Sequence, residues 1–62
     1  MTLETLEKNY KFHHHALVRG YVSRKHDPQI LPYNGRFGKG YKVIAPNYNS
    51  TRYCWVLYYI EM

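Results

Sequence analysis

The sequence predicts a β-rich α+β domain: a short N-terminal helix packed on a small three- to four-stranded antiparallel sheet, or a partly open barrel. Three observations carry that expectation. Helix-spaced leucines occur only near the N-terminus, apolar alternation of period two returns in residues 16–23, 41–45 and 51–61, and the 62 residues have room for one domain, residues 1–62.

The helix is expected over residues 2–10. Leu3, Leu6 and Tyr10 fall at i, i+3 and i+7. Thr2 suits the N-cap, Glu4 and Glu7 sit early, Lys8 and Lys11 sit late, and Asn9 tolerates a helix end, all in keeping with the macrodipole. A helix this short does not persist alone in water, so its leucine edge has to dock on something.

Residues 16–23 read as the first strand, with Ala16, Val18, Gly20 and Val22 on a core face and Leu17, Arg19, Tyr21 and Ser23 on a mixed, basic one. The polar run 24–28 ends it. Residues 29–33 are expected as an edge strand or an extended loop, because Pro32 cannot donate to a ladder. Asn34-Gly35 is the strongest two-residue turn signal, yet Gly38 and Gly40 follow closely, so a longer basic loop is expected over 34–40. Residues 41–45 form the next strand, stopped at Pro46. Residues 46–50 are turn-forming, and Asn49-Ser50-Thr51, although it matches a glycosylation sequon, is read as part of that turn.

The last strand, residues 51–61, has Tyr53, Trp55, Leu57 and Tyr59 on one face and Cys54, Val56, Tyr58 and Ile60 on the other. Both faces are apolar or aromatic, the pattern of a strand between two layers. One short helix covers one face. The second face is then either a partner surface or is curled under the chain's own loops.

Composition narrows the function. A single cysteine, Cys54, excludes an internal disulfide framework, and no signal-peptide pattern or run of about 20 apolar residues occurs, which points to a cytoplasmic, membrane-free setting. A chain this small has little capacity for an enclosed catalytic pocket, Cys54 lies inside an apolar strand, and no paired carboxylates occur outside the ends. Catalysis by the chain alone is not expected, and neither is a cofactor. His13, His14, His15, His26 and Cys54 are ligand types, but no Cys-x-x-Cys or His-x₃₋₅-His pair accompanies them, so no metal is expected; His13 and His15 would share a face if extended.

The net charge is +5, and residues 8–60 hold nine bases against Asp27 alone, a formal +8. Arg19, Arg24, Lys25, Arg36, Lys39, Lys42 and Arg52 interleave with Tyr21, Tyr33, Phe37, Tyr41 and Tyr53. That mixture suits a backbone-tracking groove with stacking platforms, as in single-strand binders, and also an acidic protein surface; tyrosine is a favoured strand residue in any case. Residues 35–38 resemble the Gly-x-x-Gly clamp of KH domains, without its flanking helices. Residues 39–44 resemble the basic, glycine and aromatic strand of RRM and cold-shock sheets, with Lys42 where RRMs have a small residue.

Over residues 8–25, KNYKFHHHALVRGYVSRK, and 38–46, GKGYKVIAP, the sequence resembles small proteins of staphylococcal cassette chromosome elements, and among them the middle protein that accompanies an A-family DNA polymerase. The resemblance implies a non-catalytic subunit of a primase-polymerase complex that binds the polymerase and helps it start primers on single-stranded DNA. On this reading Arg19, Arg36, Lys39, Lys42 and Arg52 meet phosphate and Tyr21, Phe37 and Tyr41 stack on bases. Leu6, Trp55, Leu57 and Tyr59 form the patch for the larger protein partner. The alternatives are a mobile-element protein that blocks an enzyme and a small ribosomal-type RNA binder. Salt-dependent binding of oligonucleotides by the free protein separates a direct binder from an adaptor or inhibitor.

Overall fold

The computed structural model describes residues 2–22 and 26–62; Ser23, Arg24 and Lys25, which the sequence reading placed at the end of the first strand and in the basic set, lie outside the described residues. Helix α1 (Leu3–Asn9) is followed by β1 (Tyr10–Arg19), β2 (Gln29–Gly35), β3 (Gly38–Pro46) and β4 (Tyr53–Glu61). The four strands form one antiparallel sheet in the order β1-β4-β3-β2, and it is not closed into a barrel. The first and last strands therefore sit side by side, and β1 and β2 are its two edges.

The helix starts where the N-cap chemistry places it. Thr2 keeps an extended backbone and its side-chain oxygen accepts from the Thr5 amide at 3.2 Å. It stops as the chain turns directly into β1 at Tyr10, six residues before the start expected from the sequence. β1 takes in all three histidines and ends at Arg19, so Tyr21 and Val22 are outside it. β2 is an edge strand, which accommodates Pro32.

The β2–β3 connection is tighter than the expected loop. Gly35 pairs with Gly38, leaving only Arg36 and Phe37 between the strands. Among the described residues every non-glycine keeps negative φ, so the reversal falls on Gly38 at φ 124°. An Asn-Gly turn of the usual hairpin kind would need positive φ at both central residues, and Asn34-Gly35 accordingly sits within the strand. The β3–β4 turn holds itself through side chains: the Asn49 amide donates to Asn47 Oδ1 at 3.0 Å and the Arg52 amide to Ser50 Oγ at 3.1 Å.

The core lies between α1 and one face of the sheet. Leu6 is fully buried against Val43 and Tyr59, with Leu3, Tyr10, Ile30, Tyr41 and Leu57 around them. β4 shows the expected alternation, Tyr59 turned to the helix and Cys54 and Val56 buried on the opposite side. The face of β1 that carries Ala16 and Val18, expected to be the core face, is the one away from the helix, and Val18 stays 38% exposed.

Gly40 fixes the contact between β3 and β4, because a Cβ there would run into the Tyr59 carbonyl and come within 2.9 Å of Ile60 Cα. Gly40→Ala is expected to cost about 1–3 kcal/mol through forced separation of the strands. Urea unfolding of the variant checks this, and a midpoint equal to wild type would refute it.

Candidate nucleic-acid interface

The sheet has a helix face and an open face, and register assigns each strand residue to one of them. Across the middle of the open face one row runs Leu31, Lys42, Tyr58, His14, and the next runs Tyr33, Gly40, Ile60, Lys11. Two cations, two tyrosines and a histidine thus project to the same side.

β1 adds to this through a bulge. Its pairing slips between Phe12 and His14, so His13 is an extra residue opposite β4 and no longer alternates with its neighbours. Both His13 and His14 then reach Phe37, with ring centroids 4.7 and 4.3 Å away. His15 turns to the helix face, where its ring meets Trp55 at 5.0 Å. The expectation that His13 and His15 share a face is corrected by this one inserted residue.

Phe37, projected from the tight β2–β3 turn, folds back over the open face. It lies 5.1 Å from Tyr58 and 6.3 Å from Tyr33, and Tyr58 stacks on His14 at 4.9 Å with 21° between the planes. The Arg36 guanidinium sits 5.5 Å from the Phe37 ring centre. The Phe37 amide donates a long hydrogen bond to the Tyr33 hydroxyl at 3.4 Å. The result is a packed aromatic cluster with Arg36 at its tip and Lys42 and Lys11 in the adjoining rows. Glu61 pairs with Tyr10 and so belongs to the helix face, and Glu4 and Glu7 are on α1. Three of the four acids are therefore off the open face.

The residues assigned to nucleic acid from the sequence divide into three places. Arg36, Phe37 and Lys42 come together on the open face or at its tip. Lys39 and Tyr41 face the helix side, where Tyr41 packs edge-on against Tyr10 at 5.3 Å and is spoken for by the core. Arg19, Tyr21 and Arg52 gather at the far end of the sheet, a strand length of about 25–30 Å from Arg36. Of the residues assigned to a protein partner, Leu6 and Tyr59 are buried against each other, so they build the core and are not a surface; Trp55 and Leu57 remain half-exposed.

Tyr33, Tyr58, His13, His14 and Lys11 enter the site only through register. Their signal in the sequence was parity: once β3 is paired to β4, Lys42 and Tyr58 must be neighbours. Among the described residues no group of three or more His, Cys, Asp or Glu side chains is placed to hold a metal ion. Cys54 is buried with a free thiol. No helix among the described residues is long and apolar enough to cross a membrane. Comparison with protein-family models, curated proteins and solved structures finds no match.

Two tyrosines hold their protons above the ordinary 10.0, and both belong to the helix side. Burial raises Tyr59 first, followed by the negative charge of Glu7 and its hydrogen bond. Burial likewise leads for Tyr10, followed by Tyr41 and Glu61. A raised folded-state value means the unfolded chain releases these protons first, so their contribution is intact below about pH 10 and is lost as pH rises through the folded values. Stability from urea unfolding should accordingly be flat in this respect up to about pH 10 and then fall, and Tyr59→Phe should fall less steeply. Equal slopes for the variant and wild type would contradict the assignment.

Proposed function

We propose that the protein is a non-catalytic accessory module of nucleic-acid transactions, which presents the open face of its sheet to a single strand while working beside a larger protein. The observation that carries this reading is the segregation on the sheet: Lys11, Lys42 and Arg36 with Tyr33, Phe37, Tyr58 and two histidines on one side, and Glu4, Glu7 and Glu61 off it. Aromatic side chains on an antiparallel sheet, here the half-buried Tyr33, Phe37 and Tyr58, give bases a surface to stack on, and the cations beside them answer the phosphates. A flat face of this kind takes splayed bases, whereas a duplex keeps its bases stacked inside and offers mainly phosphate.

The larger partner is an A-family DNA polymerase on the sequence resemblance alone, with the chain acting in the cytoplasm as the subunit that helps the enzyme engage single-stranded DNA for primer synthesis. Cations occur on both faces, Lys39 and Arg19 being on the helix side, so it is the aromatic cluster beside Lys11, Lys42 and Arg36 that sets the open face apart. Here Arg36 lies against the ring of Phe37, the arrangement in which charge and stacking act on the same nucleotide.

The test is fluorescence anisotropy with a labelled oligothymidine and a duplex of equal length. Single strand should bind more tightly, with a salt slope near −2 if about three phosphates are neutralised at roughly −0.7 each. Phe37→Ala should weaken binding by about 1–3 kcal/mol, the worth of one stacked base. Arg36→Ala/Lys42→Ala should lower the salt slope, while Arg19→Ala/Arg52→Ala leaves it unchanged. If the far-end pair matters as much as the open-face pair, or if neither changes binding with or without the polymerase, the interface is refuted.

A further inference from the structure

The helix face is only half used. Seven helical residues rise about 10 Å, whereas nine strand residues run about 30 Å. α1 seats Leu6 over Val43 and Tyr59 with Leu57 packed against that cluster, and beyond it the same face continues without a helix through His15 and the row Trp55–Leu17. Leu17 is 46% exposed there, and a groove of about 490 Å³ opens beside Trp55, Leu57 and Ala45.

The charged side chains at the end of this face lie outside the groove, and they are arginines. None of the residues lining it is a carboxylate. Arg19 continues the row past Leu17, opposite Tyr53, and Arg52 adjoins it. The nearest acids on α1 are engaged, Glu4 with Lys8 at 3.6 Å and Glu7 with Tyr59.

We propose that this groove docks an amphipathic helix of a partner protein, its apolar stripe on Leu17, Trp55 and Leu57 and its acidic flank toward Arg19 and Arg52. α1 already shows what this sheet face accepts, a helix lying on it through one leucine. The lining of the groove holds no lysine or arginine, so a nucleic-acid strand finds nothing within it to answer its phosphates. The inference rests on the partner half of the function proposed above and is independent of the nucleic-acid half.

The probe is a displayed library of random peptides about 16 residues long, long enough for four helical turns, selected against the full chain. Enriched sequences should repeat apolar residues at i, i+3, i+4 and i+7 with Asp or Glu alongside. Synthetic copies should bind at least about tenfold more weakly to Leu17→Glu, the loss expected for an anchor contact, and more weakly to Arg19→Glu, while both variants keep wild-type circular dichroism and oligothymidine affinity. Enrichment of basic or patternless peptides, no enrichment, or binding by the two variants equal to that of the wild type overturns the proposal. So does sedimentation showing a dimer of this chain that Leu17→Glu dissolves. Unchanged oligothymidine binding in these variants keeps the two halves of the function separately testable.

Discussion

Because a helix of seven residues cannot persist alone in water, α1 depends on the seat that Leu6 finds against Val43 and Tyr59. That contact in turn decides which side of the sheet is which. A four-stranded antiparallel sheet has two faces to account for, and among the described residues one helix of two turns is there to cover them. Once Leu6 has chosen the side of Tyr59, the side of Tyr58 is left without a helix, although Cys54 and Val56 are buried there as well. Burying Leu6, Val43 and Tyr59 contributes on the order of 2 kcal/mol per side chain, so the choice is not easily reversed.

The same seat sorts the charges. Glu4 and Glu7 travel with the helix, and Glu61 has the parity of Tyr59, so the acids follow the core to one side. Lys42 has the parity of Tyr58 and goes to the other. In β1 the bulge at His13 brings two consecutive imidazoles onto the Phe37 ring, where strict alternation would have sent one of them to the helix face. The tight turn does the matching work from the other edge, since a longer loop would not hold Phe37 over Tyr58. Gly38 and Gly40 are what allow the strands beneath to close up.

Much of the fold was legible in the sequence because its signals are local. Thr2 as a cap, Pro32 on an edge and the alternation of β4 each follow from the residue and its immediate neighbours. The extent of β1 was not, because three consecutive histidines have no apolar period and only the pairing with Leu57 through Tyr59 makes them a strand. The turn was misread for a related reason. The clustered glycines of residues 34–40 suggested a longer basic loop, but the register that puts Val43 and Tyr41 on the helix side carries the pairing through to Gly35 and Gly38 and leaves only Arg36 and Phe37 to turn. Of the site, Arg36, Phe37 and Lys42 could be named from charge and aromatic content. Their separation from Arg19 and Arg52 could not, since distance along a sheet is invisible until the strands are aligned.

A sheet of this size offers partners two kinds of contact, its edges and its faces, and here the edges are poorly suited. β2 carries Pro32, which has no amide to donate to an added strand. β1 is interrupted by its bulge and bears Lys11 and Arg19 near its two ends. Pairing with a partner strand is therefore disfavoured on both sides, and recognition falls to the faces. Those faces differ in chemistry: an aromatic cluster flanked by Lys11, Lys42 and Arg36 on one side, and on the other a groove of mixed aromatic, aliphatic and amide lining with Arg19 beyond it. On the proposed reading, a nucleic-acid strand and a partner helix would occupy opposite faces and would not compete, separated only by the thickness of the sheet.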